Sequence, residues 1–191
     1  VGRPAKHSTD DFLDAAVAIY SHLGARAVTL GAVAKSVGAA NGSIYHRFPD
    51  RPALLRAMWE RTAARFQSGY RENLGEPTIT AAIESATWVV HWCRDHLDEA
   101  RVLLAGARTF GADGATSGAT GGSDSRLHAD IRQIVDTLAP MTAAGPDQIA
   151  FALFDLPIAV VIRPLHEGRA PGAREAELVR DLVTVILRPR P

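Results

Sequence analysis

Apolar residues recur at intervals of three and four along most of the chain, and no stretch shows the period of two that marks a half-buried strand. The run DDFLDAAVAIYSHLG sets Phe12, Ala15, Ala16, Ile19 and Leu23 on one face. Ser8 or Thr9 offers a cap, Asp10 and Asp11 suit the first turn, and Gly24 ends the helix. A second, short helix is predicted from Thr29, with Leu30, Val33, Ala34 and Val37 on one side before Gly38 breaks it. AANGSIYHRF follows, with Ile44, Tyr45 and Phe48 as anchors behind a small polar front. Asp50 then caps a longer helix whose Pro52 falls in the first turn, lined by Leu54, Leu55, Met58, Trp59, Thr62 and Phe66 and running to about Gly69.

The rest also reads as helical. Helices are predicted from about Thr78 to Cys93 and from about Leu97 to Phe110. Gly111 to Ser125, GADGATSGATGGSDS, lacks apolar anchors and is expected to be a flexible loop. Leu127, Ile131, Ile134, Val135 and Leu138 mark a further helix. The apolar stretch from Asp147 to about His166 predicts a helix kinked at Pro157, and a last helix spans about Ala173 to Leu187. The expected fold is all-α: a three-helix headpiece followed by a larger helical body, with the boundary near residue 50.

Charge sharpens that division. The formal net charge is zero, but Val1 to Arg71 holds ten Lys+Arg against five Asp+Glu, and Glu72 to Pro191 eleven against sixteen. A basic front part suits phosphates and an acidic remainder does not. With 47% apolar and 22% charged residues the chain is a globular protein. It has no run of about eighteen consecutive apolar residues, and VGRPAKHSTDDF is too polar for a signal peptide, so a cytoplasmic protein without a membrane partner is expected. Cys93 is the single cysteine, which excludes an internal disulfide or a multi-cysteine zinc site, and its setting in WVVHWCRDH suits a packing thiol.

Enzyme chemistry finds little support. There is no nucleophile elbow, no GxxxxGK phosphate loop and no HExxH run. His91 and His96 lack a nearby third ligand, and the glycine-rich stretch from Gly111 follows no strand. Neither catalytic residues nor a cofactor or metal is expected.

Two short helices joined by SVGAAN match the helix-turn-helix arrangement, in which the second helix enters the major groove of DNA. Thr29 offers a hydroxyl and nearby N–H groups to a phosphate, and Gly31 keeps that end free of bulk. Ala40, Asn41, Gly42 and Ser43 form a compact front for base edges, where Asn41 and Ser43 exchange hydrogen bonds and Ala40 touches a thymine methyl. His46, Arg47, Arg51 and Lys35 are placed to hold backbone phosphates, while Tyr45 either packs or turns its hydroxyl to phosphate. Arg3 and Lys6 precede the first helix as a basic arm suited to the minor groove. A trihelical core without a ligand, or a helical interaction module whose basic headpiece meets an acidic protein partner, is the competing reading.

Phe12 to Leu55 resembles the DNA-binding domain of the TetR family of transcriptional regulators. The resemblance rests on Thr29, Ala34, Gly38, the Gly42-x-x-Tyr45-x-x-Phe48 segment, Arg51, Leu54 and Leu55. It implies that these positions frame a recognition helix and that Thr29, Tyr45, His46 and Arg51 anchor phosphates. Two positions depart from the family pattern. Ala40 stands where a Ser or Thr cap is usual, so either Asn41 caps one residue later or the helix start is weaker by about 1 kcal/mol. Arg51 replaces the usual Lys and brings a bidentate fork.

The resemblance also implies a homodimer on a palindromic double-stranded operator, acting as a repressor and released by an unidentified small effector. Residues 51–191 are then an effector-binding and dimerisation domain. Leu153, Leu156, Val160, Leu178, Leu182 and Val185 are the expected pairing surface, unless they complete the monomer core. Trp88, Trp92, Phe110, Phe151 and Phe154 are expected as aromatic walls of an effector chamber, with His91, Arg108 and Asp155 as orienting polar groups. That supply of rings suits a mostly apolar effector.

Overall fold

The computed structural model describes the backbone of residues 7–112 and 120–190, and the side chains of these except 41 and 120–128. Among the described residues the fold is all-α: α1 (Thr9–Leu23), α2 (Leu30–Ser36), α3 (Asn41–Tyr45), α4 (Arg51–Leu74), α5 (Ile79–Asp95), α6 (Leu97–Leu104), α7 (Thr120–Leu138), α8 (Pro146–Ala150), α9 (Leu156–His166) and α10 (Ala173–Ile186). The chain divides into two compact units, one of Val1–Ala63 with Arg101–Ser117 and one of Ala64–Ala100 with Gly118–Pro191. Both α4 and α6 therefore contribute residues to each.

In the first unit the predicted apolar faces meet. Phe12, Ala16, Val28, Val33, Ala34, Ile44, Leu54 and Met58 are fully buried together. Ser8 caps α1 through a reciprocal pair, its hydroxyl accepting from the Asp11 N–H and the Asp11 carboxylate accepting from the Ser8 N–H. Those bonds to Ser8 hold the Asp11 carboxyl below its ordinary range. Asp50 caps α4 by accepting from Ala53 N–H at 2.8 Å, as foreseen. Arg61 ties α4 to α1 through Asp14 at 2.6 Å and Asp10 at 3.5 Å. Two later additions complete this unit: Phe110 packs edge-on against Tyr20 at 5.1 Å, and Arg101 donates to the Ser21 hydroxyl.

In the second unit α5 packs against α9 and α10, and α7 against α8. Leu138, Ile149, Leu153, Val179, Val183 and Leu187 are fully buried. Burial pushes the Cys93 thiol up to about 12, which fits a packing residue rather than a nucleophile.

Two boundaries differ from the sequence expectation, while the helix expected to continue through Pro157 does so. The helix predicted to reach Phe110 stops at Leu104, because Gly106 adopts φ +78° and a short 3₁₀ turn, Ala107–Phe110, follows. Helix α7 starts at Thr120, so the end of the expected Gly111–Ser125 loop is helical, while residues 113–119 lie outside the described residues. Pro157 produces no break: α8 and α9 join through a π-helical turn, Phe151–Asp155, into one helix over Pro146–His166. By length and composition alone that helix qualifies as a membrane span, but here it packs against α5 and α10.

The π turn has a physical origin. The Leu153 carbonyl would ordinarily accept from the N–H of residue 157, and a proline has none. The buried Tyr70 hydroxyl donates to that carbonyl at 2.6 Å instead. Burial pushes the Tyr70 phenol far above its ordinary value, so it stays a donor. Tyr70→Phe keeps the ring and removes the donor, and is expected to cost about 1–3 kcal/mol in urea unfolding. Unchanged stability would show that Leu153 has another partner.

Candidate nucleic-acid interface

The turn between α2 and α3 sets the interface. Gly38 adopts φ +70°, its N–H donates to the Lys35 carbonyl at 3.1 Å, and the Ala39 N–H donates to the Ala34 carbonyl at 2.9 Å. This paired closure ends α2 and turns the chain sharply. Thr29 caps the start of α2, its hydroxyl accepting from the Ala32 N–H at 3.1 Å. Ile44 and Phe48 are buried beneath α3, so the opposite face is turned outward.

That outward face carries the residues singled out from sequence. Ala40 and Gly42 are exposed and Ser43 is half-buried. Asn41 opens α3, and its side chain lies outside the described residues. Ala40 holds the cap position and makes no side-chain cap bond. Tyr45 is 57% exposed, which leaves both ring and hydroxyl available. Thr29, Lys35 and His46 are also exposed, and among the described residues no ion pair engages Lys35 or His46. Arg3 and Lys6 lie outside the described residues.

Two arginines do something different from what the sequence suggests. Arg51, expected to hold phosphate, turns inward: Nε donates to the Val28 carbonyl at 2.8 Å and Nη2 to the Ala25 carbonyl at 2.5 Å. It therefore staples the loop that leads into Thr29. Arg47 likewise spends its fork within the protein. Nη2 donates to the His7 carbonyl at 2.7 Å, and Nη1 to the Ser43 carbonyl at 3.1 Å. Its charged plane lies 5.3 Å from the centre of the Phe12 ring. Charge counting sees the cations but not the carbonyls that the fold brings to them.

The expected effector walls are only partly brought together. Trp88 and Trp92 join Phe66, Tyr70 and Phe154 in one aromatic cluster, with centroid separations from 5.0 to 6.3 Å. Phe66 and Tyr70 are the members that sequence reasoning left out, although both sit on α4 at a four-residue spacing. Trp88 and Trp92 line a groove of about 480 Å³ with Arg65, Gly69, Glu72, Asn73, His96 and Glu99. Gly69 leaves room for the Trp88 ring: a Cβ there would stand 2.6 Å from it. Of the remaining candidates, Phe110 is buried in the first unit and Arg108 is exposed there. His91 is half-buried outside the groove, while Phe151 and Asp155 are exposed.

The expected pairing residues also separate. Leu153 and Leu156 are buried in the protomer, so they complete its own core. Val160 is half-buried. Leu178, Leu182 and Val185 remain 40–53% exposed on α10, and Phe151 is 46% exposed.

Residues 12–58 match the family model of the bacterial regulatory proteins of the tetR family. The HTH-type transcriptional regulator AcrR of Shigella flexneri is 34% identical over 56 residues, which are 29% of this chain. The match spans about a quarter, 26%, of that relative's length. Solved structures are similar over nearly the whole chain. A TetR family regulator from Marinobacter aquaeolei VT8 superposes with a TM-score of 0.71 at 16% identity, covering 95% of both chains. A TetR-like regulator from Rhodococcus sp. RHA1 gives 0.67 at 18%, covering 95% of this chain and 96% of its own. The regulator FadR from Bacillus subtilis, solved in complex with stearoyl-CoA, gives 0.64 at 16%, with 95% and 98% covered.

Proposed function

We propose that this chain, whose residues 12–58 form a headpiece of the TetR family of bacterial regulatory proteins, is a sequence-specific DNA-binding transcriptional regulator. The observation that carries the reading is the outward face of α3, small at Ala40 and Gly42 and held out by the buried Ile44 and Phe48. Thr29, Lys35, Tyr45 and His46 flank it as phosphate contacts, and Asn41 and Ser43 read base edges. One short helix reads few base pairs, so two copies bind a palindromic operator. DNA reading belongs to residues 1–50, effector binding and dimerisation to residues 51–191.

The regulator acts as a repressor, since a dimer seated over a promoter excludes polymerase without needing another surface. Its effector is a mostly apolar small molecule seated against Trp88 and Trp92. The Bacillus subtilis neighbour was solved with stearoyl-CoA, a ligand that joins an apolar acyl chain to a charged CoA moiety, and only the acyl part is of that character. Binding an arrangement that cannot engage DNA about 100-fold more tightly supplies about 2.7 kcal/mol toward release. Gly69→Ala places a methyl group against the Trp88 ring. It is expected to shift tryptophan fluorescence and to weaken effector binding without changing affinity for DNA. An unchanged effector titration would move the site elsewhere.

Selection from random duplexes tests the core reading. Retained fragments should share a sequence and release steeply with salt. If no duplex is held even at low salt, a helical module for an acidic protein partner replaces the regulator.

A further inference from the structure

We infer that Arg47 is a positioning residue that couples the recognition helix to the basic segment preceding α1. The inference rests on the DNA-binding reading and adds a connection which that reading does not contain. Arg47 follows α3, and its Nη1 donates to the Ser43 carbonyl at 3.1 Å, with the Ser43 hydroxyl at 3.4 Å. Nη2 of the same group donates to the His7 carbonyl at 2.7 Å, forty residues earlier in sequence. A single guanidinium thus touches both α3 and the residue from which the chain enters α1.

The surroundings fix that group. The buried Phe12 ring lies beneath the guanidinium at 5.3 Å, and the His7 ring approaches the same phenyl group at 6.2 Å. The Ser8–Asp11 pair holds the next residue of the backbone. Residue 7 is therefore held by its carbonyl, its ring and its neighbour. A planar fork can serve two carbonyls in different directions while lying flat on a ring. A lysine ammonium donates all three of its hydrogens from one nitrogen, and so cannot occupy the positions of both Nη1 and Nη2.

What this clamp orients follows from the sequence. Arg3 and Lys6 lie just before His7, and short basic segments of this kind enter the minor groove beside a helix seated in the major groove. Arg47 fixes His7, the residue that follows them in sequence, relative to α3. Its contribution to affinity passes through Arg3 and Lys6 rather than through a phosphate contact of its own.

The test measures binding of a duplex selected by the unaltered protein, across a salt series, for four proteins: the unaltered chain, Arg47→Lys, Arg3→Ala with Lys6→Ala, and the triple variant. A phosphate contact changes the salt slope by about 0.9, worth about fivefold at roughly 0.15 M salt. Removing Arg3 and Lys6 should lower the slope by about two and affinity by about 5- to 30-fold. Arg47→Lys keeps the charge and should still lose about fivefold or more together with at least one unit of slope. The triple variant should bind within about twofold of the double variant. Thermal unfolding of Arg47→Lys, with and without the arm changes, separates folding from coupling: the shift in midpoint should be equal in both.

Equal losses of affinity from Arg47→Lys in both backgrounds would reduce Arg47 to a packing residue and overturn the coupling. Full affinity of Arg47→Lys would overturn it too, because charge alone would then suffice. So would an arm whose removal changes nothing. If the unaltered protein selects no duplex, the DNA-binding reading itself falls, and that result is distinct from all three.

Discussion

Leu182→Glu is expected to leave a folded monomer and to lower affinity for a duplex with two half-sites by about 10²- to 10⁴-fold. Leu178, Leu182 and Val185 lie at helical spacing on α10 and stay 40–53% exposed, while Val179 and Val183 on the same helix are fully buried. One helix thus has two apolar faces, and the protomer covers only one. In the proposed dimer a second copy covers the other, and a two-fold axis presents each leucine to its counterpart. Glutamate at that position puts two carboxylates into the contact and removes two apolar groups. The half-sites then bind independently, without the effective concentration that linkage provides. Light scattering measures the mass and a duplex titration measures the affinity. A variant that stays dimeric would move the pairing face away from α10.

Arg51→Met is expected to destabilise the isolated protein by about 2–4 kcal/mol, the worth of two charge-assisted bonds at a partly buried site. The guanidinium holds the Ala25 and Val28 carbonyls, and through them the approach to Thr29, whose hydroxyl caps α2. Arg51→Lys should recover only part of the loss, since one ammonium group cannot reach both carbonyls with the geometry of the fork. Denaturation without DNA distinguishes this from a phosphate role. Unaltered stability accompanied by weakened DNA binding would restore the role suggested by the family pattern.

These arginines show how far sequence reasoning reaches. Periodicity located the helices because burial of one face imposes it, and Gly38, Thr29 and Asp50 acted as the local chemistry of turns and caps requires. The same reasoning assigned Arg47 and Arg51 by their charge. Their partners are backbone carbonyls, which every residue carries and no sequence pattern marks. For Leu153 and Leu156 the difficulty was geometric: an apolar residue on a helix with two apolar faces does not announce which face it occupies. Phe110 reads as an effector wall because it is aromatic, but Gly106 ends α6 early and the segment packs on Tyr20 instead. The aromatic cluster itself was half visible, through Trp88, Trp92 and Phe154. Tyr70 entered it for a reason set 87 residues later, the missing N–H of Pro157.

The claim beneath all of this is that α3 reads bases. Duplex selection with the unaltered chain and with Asn41→Ala tests it most directly. Two related, inverted half-sites centred about 10 base pairs or a multiple of that apart are expected for the unaltered chain. Asn41→Ala should change the preferred base at the same position of both half-sites and leave the rest of the sequence in place. Identical selected sequences for the two proteins would mean that α3 does not read the operator.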